Sequence, residues 1–428
     1  KGKNFDGHNF VAQSLMKGGS GAIVSDRALM EKILFRANRD NNRYHIIAVD
    51  DTLKALHNIA NYYRRKFTIP VVGITGSNGK STTKEMAASI AGIRFRVLKN
   101  EGNLNNQIGL PITLLRMEEG HDVAIVEMGM SEKGEIKKLC QIAEPSIGVI
   151  TNVGKAHMEH LGSIEDIRDA KGELIMAIEG KGTMILNSDD PLVIGFKNKF
   201  RGKVLTFGIN SHSDVKALNF KRKKDLGYQF ILKISEKEIM VNLSYPGYHN
   251  IYNALSSAAI GVSLGMDIND IGRGIESFRP LPMRMERFMI DGDITIINDA
   301  YNANPSSMEA AIKTFSVADF PGKKFLIAGD MLELGEVSEE SHRYIGRLVA
   351  SESIDYLITF GRESKFISQE AILSGMPKNK VYSCENFDEV AFILDDELNL
   401  GDCLLIKGSR GMGMEKLVDR IVKLRKAS

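Results

Sequence analysis

Apolar runs bounded by turn residues recur along the chain with amphipathic stretches between them, an alternation that predicts an α/β architecture with parallel strands. Residues 21–26 (GAIVSD) and 44–51 (YHIIAVDD) read as short strands, and 52–66 as a helix that leads out of a small first unit. Residues 69–75 (IPVVGIT) form a buried strand that runs into a glycine-rich loop and a helix beginning near Lys80, and strands at 123–128, 147–151 and 183–187 extend the same sheet. Between 204 and 245 the pattern changes to short alternating strands with a turn near 225–227, which predicts an antiparallel subsheet, followed by a helix over 250–264. Pro280 and Pro282 interrupt the periodicity, and a third α/β unit follows with strands at 295–298, 324–328, 356–359 and 403–407 and helices at 306–314 and 341–351. The expected division is therefore 1–66, 67–280 and 281–428.

Composition narrows the class. A chain of 428 residues is too long for one ordinary core, and 43% hydrophobic with 26% charged residues is a globular balance. The net charge of +2 points to no polyanionic partner, and the run Lys221-Arg222-Lys223-Lys224 reads as a solvated turn, so no nucleic acid is expected. Cys140, Cys384 and Cys403 lie far apart with no CxxC pair, which argues against a disulfide framework or thiolate metal site and for a reducing cytoplasm. No apolar stretch reaches the roughly 18 residues that span a bilayer, so no membrane insertion is expected. No leader is read at the start, and because the first residue is Lys1 the natural start is expected to lie upstream. Nothing in the pattern demands more than a monomer.

Candidate chemistry begins at Gly73-Ile74-Thr75-Gly76-Ser77-Asn78-Gly79-Lys80-Ser81, between a β-branched strand and a helix. Glycines there let backbone N–H groups turn inward onto phosphate oxygens, and the helix N-terminus adds a favourable dipole. Lys80 is placed to neutralise β/γ-phosphate charge and the Ser81 hydroxyl to ligate Mg²⁺. The spacing departs from G-x-x-x-x-G-K-[ST]: the outer glycine position falls on Ile74, with Gly73 one residue further out. Glu127 ends a strand on the side of this loop and His157 follows the next strand, so both can converge on the phosphates at the carboxyl ends of the strands.

The wording GITGSNGKSTT is similar to that of the Mur ligases and folylpolyglutamate synthetases. Further parts of the pattern follow in order: Asn103-Leu104-Asn105-Asn106-Gln107-Ile108-Gly109, Val126-Glu127-Met128-Gly129, Thr151-Asn152-Val153-Gly154-Lys155-Ala156-His157, Ala170-Lys171-Gly172-Glu173, His249-Asn250 with Asn253, Arg284, and Asp299-Ala300-Tyr301-Asn302-Ala303-Asn304-Pro305. Within that family, Asn304-Pro305-Ser306-Ser307-Met308, Gly329-Asp330-Met331-Leu332-Glu333-Leu334-Gly335 and Lys407-Gly408-Ser409-Arg410 resemble the branch that adds D-alanyl-D-alanine to UDP-N-acetylmuramoyl-tripeptide. The resemblance implies a three-domain architecture, with a central P-loop ATPase-like domain and a C-terminal Rossmann-like domain. It also implies an ADP-forming ligase of peptidoglycan precursor synthesis, working through an acyl phosphate with ATP and Mg²⁺. The N-terminal UDP-binding domain of that branch is fuller than the one here, whose Asp6-Gly7-His8 resembles its middle.

Roles carried over by resemblance are these. Gly76, Ser77, Asn78, Gly79, Lys80, Ser81 and Thr82 hold ATP, with Asn250 and Asn253 at the nucleotide, the second reading adenine, and Arg284 and Asp299 on its phosphate and ribose side. Ser81, Glu127, His157 and a carbamylated Lys171 hold the metal, and Lys80, Glu127, His157 and Lys171 form the catalytic set. Asn103, Asn105 and Asn106 surround the muropeptide, Tyr301, Asn302 and Asn304 order the closing surface, and Asp330 and Glu333 orient the dipeptide ammonium. Taken singly, each has a structural reading: Glu127 as a helix cap, His157 as a loop histidine, Lys171 as a solvated helix charge, the asparagines as turn or helix-start residues, and Arg284 and Asp299 as hinge charges. Competing functions are another ADP-forming ligase of the family, such as one adding glutamate to folate, and a nucleotide-dependent switch that forms no amide.

Overall fold

The computed structural model describes residues 2, 5–39, 44–154, 158–178, 180, 182–223 and 226–427, and these build three sheets. The first is a parallel pair, β1 (Gly21–Val24) and β2 (His45–Ala48). The helix Thr52–Arg64 follows, its start capped by the Asp51 carboxylate, which accepts from the N–H groups of Leu53 and Lys54. Its side chains reach onto the second unit: the Tyr63 hydroxyl donates to the Met117 carbonyl at 2.9 Å and the Arg64 Nε–H to the Ala143 carbonyl at 2.8 Å.

The second sheet has nine strands: β3 (Val71–Thr75), β4 (Val97–Lys99), β5 (Val123–Glu127), β6 (Ile147–Ile150), β7 (Thr183–Asn187), β8 (Lys203–Gly208), β9 (Val215–Arg222), β10 (Tyr228–Ile234) and β11 (Lys237–Leu243), in the spatial order β11-β10-β9-β8-β7-β6-β3-β5-β4. β3 is covered on both faces, which is why its sequence is an unbroken apolar run. Val72 and Ile74 pack towards Met86 and Ile90 of the helix Lys80–Ala91, whereas Val71 joins Leu139 and Leu174 on the opposite face. The chain leaves β3 for β4 on one side and returns past it from β5 to β6 on the other. The carboxyl end of β3 is therefore the switch point where an open α/β sheet leaves a crevice.

The expectation of an antiparallel subsheet from residue 204 is corrected. β8 runs parallel to β7, and β9 joins β8 in parallel through Phe207 opposite Val215 and Gly208 opposite Lys216; only β9, β10 and β11 are antiparallel to one another, and they continue the main sheet. Alternating polarity reports that one face of a strand is open to solvent, not the direction of its neighbour. The turn expected at 225–227 lies partly outside the described residues.

The third sheet is β12 (Glu286–Ile290), β13 (Ile294–Asp299), β14 (Lys324–Gly329), β15 (Tyr356–Phe360), β16 (Val381–Cys384) and β17 (Cys403–Lys407), ordered β12-β13-β17-β14-β15-β16 and parallel except for β12. The sequence pattern did not signal β4, β12 or β16, which are short edge strands. One side of this sheet packs Ile294, Phe325, Ile358 and Leu404 against Leu394 and Leu417, while Ile297, Leu326, Leu357 and Leu405 face the helices Pro305–Ser316 and Ser338–Ser351. Among the described residues, no helix is long and apolar enough to cross a membrane.

Candidate active site

The phosphate-type loop sits at the end of β3. Gly76 has φ +149°, and a Cβ there would lie 1.9 Å from the Thr151 Oγ1; Gly79 has φ +81°, with its Cβ position 2.3 Å from the Asn253 Oδ1. Only glycine fits either place without displacing a neighbour. The stretch after β6 braces the loop. Ser77 N–H donates to the Asn152 carbonyl (2.9 Å) and Asn78 N–H to Asn152 Oδ1 (2.9 Å), while the Thr151 hydroxyl donates to the Asn78 carbonyl (2.6 Å). Thr151 and Asn152 carry no role in the sequence reading, although both stand in a motif it singles out; their bracing becomes visible only when β6 is laid beside β3.

Charged and polar groups converge just inside the loop. The Ser81 hydroxyl donates to Glu127 Oε2 at 2.6 Å and accepts from an Arg284 terminal nitrogen at 2.9 Å, so residues 203 positions apart meet on one oxygen. Glu127 is 3% exposed, and its Oε1 accepts from Asn105 Nδ2 at 2.8 Å. Its backbone is clasped by Asn100, which accepts from the Glu127 N–H (2.9 Å) and donates to the Glu127 carbonyl (3.1 Å). Lys80 Nζ folds back on the loop, donating to the carbonyls of Gly76 (2.8 Å) and Ser77 (3.2 Å). Burial pulls the Lys80 ammonium below its ordinary value, and Glu127 opposes that shift.

Lys171 projects from the helix Ile164–Ile178 into the same space and is 2% exposed. Burial, reinforced by the nearby Lys80 charge, holds its amine well below the usual lysine range. The start of this helix is capped by Ser163, whose hydroxyl accepts from the Asp166 N–H at 3.1 Å. His157 lies outside the described residues.

The third unit closes the opposite wall. The Arg284 guanidinium stacks 3.9 Å from the centre of the Tyr301 ring. Asp299 accepts from the Met285 N–H (3.0 Å) and from Lys407 Nζ (2.5 Å), and Lys407 also donates to the Asn302 carbonyl (3.0 Å). Asn304 caps the helix Pro305–Ser316 and donates through Nδ2 to the loop's Asn78 Oδ1 at 2.9 Å, a direct link between the two units. Asn250 and Asn253 are buried and bonded to each other at 2.7 Å beside the loop, on the helix His249–Ser263. Burial lowers the neighbouring His249 imidazole to about 4.

Together these groups line a cleft of about 1140 Å³ that contains Gly76 to Thr82, Asn103, Asn105, Asn106, Glu127, Lys171, Asn250, Asn253, Arg284, Asp299, Tyr301, Asn302, Asn304 and Glu333. The side chain of Asn106 also does local work, its Oδ1 accepting from the N–H groups of Ile108 and Gly109. Asp330 is placed differently from the other candidates. Its carboxylate turns away from the cleft and accepts from the backbone N–H groups of Arg362 (3.1 Å), Glu363 (3.1 Å) and Ser364 (2.7 Å). Lys407, Ser409 and Arg410 also line the cleft, although the sequence motif in which they stand assigns them no role.

Known proteins share this arrangement. Residues 74–261 match the model of the Mur ligase middle domain, and residues 283–410 that of the Mur ligase, glutamate ligase domain. The UDP-N-acetylmuramoyl-tripeptide--D-alanyl-D-alanine ligase of Bacillus subtilis is 37% identical over 99% of this chain and 89% of its own length. The protein of that name from Escherichia coli is 33% identical over 98% of this chain and 88% of its own. Among solved structures, MurF from Acinetobacter baumannii superimposes with a TM-score of 0.88 at 29% identity, covering 99% of this chain and 89% of that one. MurF ligase from Thermotoga maritima, solved in complex with ADP, gives 0.86 at 29% identity over 100% and 94%. With both family domains matched in order, and relatives of this identity aligned along nearly its whole length, the chain belongs to the Mur ligase family.

Proposed function

We propose that this protein is an ATP-dependent, ADP-forming ligase that joins D-alanyl-D-alanine to UDP-N-acetylmuramoyl-tripeptide in peptidoglycan precursor synthesis. The observation that carries the ligase reading is the meeting of Lys80, Ser81, Glu127 and Arg284 in a cleft whose walls come from two separate sheets. The choice of substrates is supported by the relatives of Bacillus subtilis and Escherichia coli, which bear that activity in their names.

Joining a carboxylate to an amine in water requires a better leaving group than hydroxide. Transfer of the γ-phosphoryl group of ATP to the tripeptide carboxylate gives an acyl phosphate; the dipeptide amine attacks its carbonyl, and the tetrahedral species releases inorganic phosphate. The protein's task is to position two anions that repel each other and to neutralise them. In this reading the loop amides from Gly76 to Thr82 and the Lys80 ammonium hold the ATP phosphates, Arg284 supports them from the third unit, and Asn250, Asn253 and Asp299 hold the rest of the nucleotide. Asn103, Asn105 and Asn106 face the muropeptide, and Tyr301, Asn302 and Asn304 order the closing surface. Glu333, in the loop after β14, is assigned to the dipeptide ammonium; Asp330, whose carboxylate is already committed to three backbone N–H groups, is left out of that role.

The donor set suits Mg²⁺. Ser81 and Glu127 present hard oxygens to each other at 2.6 Å. Among the described residues, no group of three or more His, Cys, Asp or Glu side chains is arranged to hold an ion alone. Such a sparse set fits a small cation that keeps its waters and takes substrate phosphate oxygens. Ser81, Glu127, His157 and a carbamylated Lys171 are the proposed ligands, and the ion would offset charge on the transferring phosphoryl group. Carbamylation needs a neutral amine, and the burial of Lys171 favours that form.

We place the protein in the cytoplasm as a monomer of three domains, 1–66, 67–280 and 281–428. The three buried, unpaired cysteines accord with a reducing compartment. The test is phosphate release with ATP, Mg²⁺, UDP-N-acetylmuramoyl-tripeptide and D-alanyl-D-alanine, each omitted in turn, with the product identified by mass. Release that persists without both organic substrates sinks the proposal.

A further inference from the structure

β14 ends in the loop 330–335, whose Leu332, Glu333 and Leu334 line the cleft and whose Gly335 lies against Glu159 of the second unit. Backbone bonds anchor this loop from behind. The Ser409 hydroxyl accepts from the Leu332 N–H (2.9 Å) and donates to the Ala303 carbonyl (3.1 Å), while the Ser409 N–H donates to the Asp330 carbonyl (3.0 Å). A further anchor is His342, on the helix Ser338–Ser351, with no exposed surface. Its Nε2 stands 3.0 Å from the Met331 N–H nitrogen and its Nδ1 2.8 Å from the Ser338 carbonyl oxygen.

These partners leave one protonation state. A backbone N–H can only donate, so the Nε2 facing it must carry a lone pair; a carbonyl can only accept, so the Nδ1 facing it must carry the proton. Adding a second proton would set N–H against the Met331 N–H in a site closed to water, removing that bond and leaving a buried donor unsatisfied.

We propose that His342 is a positioning residue: in its neutral Nδ1–H form it fixes Met331, and through it holds Leu332, Glu333 and Leu334 in the wall of the cleft that receives the amine substrate. The assignment of this wall to the amine rests on the ligase reading above. The charged surroundings fit. Asp330 and Glu363 face the ring and favour its charged form, yet burial outweighs them and keeps the imidazole below its ordinary value. Several other charges on and around this helix form pairs: Arg343 with Glu339 and Glu370, Arg347 with Glu340 and Glu370, and Lys313 of the neighbouring helix with Glu309.

Selective ¹⁵N-histidine labelling of the full chain, with H342Q to assign the resonance, reads the tautomer directly. The expected spectrum has a protonated Nδ1 and a bare Nε2 at His342 across the range where exposed histidines titrate. An Nε2–H tautomer, or titration alongside the exposed rings, overturns the proposal. Kinetics supply the second arm. His342→Phe keeps a ring and removes the acceptor, and should raise the KM for D-alanyl-D-alanine roughly tenfold, about 1.4 kcal/mol, while the KM for ATP moves less than about twofold. His342→Gln, whose amide oxygen can accept from Met331, should recover most of that loss. Equal rises in both KM values, or a glutamine variant as impaired as the phenylalanine one, refute the positioning role. A wild-type protein that forms no amide refutes the ligase reading instead, and the NMR arm still decides the state of His342.

Discussion

Replacing Gly76 by alanine tests the geometry of the phosphate loop most directly. The added Cβ would fall 1.9 Å from Thr151 Oγ1 and 3.1 Å from Thr151 Cβ, on a residue whose φ is +149°. Two costs follow. Holding a residue with a side chain in that region of backbone space costs about 1–3 kcal/mol. Relieving the contact means turning Thr151 away, which sacrifices its 2.6 Å bond to the Asn78 carbonyl, about 1 kcal/mol more. Gly76→Ala should therefore lose roughly 2–4 kcal/mol, shared between the stability of the central unit and nucleotide affinity. Thr151→Ala alone should cost about 1 kcal/mol, and because it removes the clashing oxygen the double variant should be less impaired than the sum of the two singles. Urea unfolding together with calorimetric titration of ADP measures both components. If Gly76→Ala unfolds at the wild-type urea concentration and binds ADP with unchanged affinity, or if the two substitutions simply add, the steric account of the loop is wrong.

Other consequences can be checked independently. Lys171→Ala should abolish turnover and partly regain it with a short carboxylic acid that replaces the carbamate; unchanged activity would remove the proposed role, and thermal unfolding should show no loss because a buried, poorly solvated amine has gone. Asn304→Asp should keep the helix cap, and hence the melting temperature, but lose the donor to Asn78 Oδ1 and weaken nucleotide binding, whereas Asn304→Ala should lose about 1 kcal/mol of stability as well. His249 falls from an ordinary 6.5 to about 4 because burial disfavours its charged form. Its contribution is thus fully present above pH 6.5 and is lost as the pH falls towards 4, by about 3 kcal/mol in all. Urea titrations at pH 7 and pH 4.5 should show a smaller acid loss in His249→Asn than in the wild type; equal losses would mean that other groups carry the acid limb.

Much of the frame is legible in the sequence. The buried parallel strands β3, β5, β6, β14, β15 and β17 announce themselves because both faces are covered and their sequences run apolar without interruption. The glycine-rich loop is legible for a local reason too: strand, turn and helix start lie within a few residues, and their chemistry does not depend on distant parts of the chain. Edge strands such as β4 and β16 escaped because a few residues against one neighbour leave little periodicity, and β8 was assigned the wrong direction because alternation does not encode the partner.

What the sequence by itself determined, then, is the α/β frame and the residues able to handle phosphate. Only the tertiary structure decided which of those residues act together. Arg284 reaches Ser81, Lys407 reaches Asp299, and His342 reaches the back of the 330–335 loop, while Asp330, three residues before Glu333 and equally acidic to the eye, turns away to hold backbone N–H groups of the next strand's loop. The reason is physical. Periodicity and turn chemistry are local, but a side chain's partner is set by how sheets and helices pack, and buried polar groups must then satisfy their hydrogen bonds with whatever that packing brings within about 3 Å.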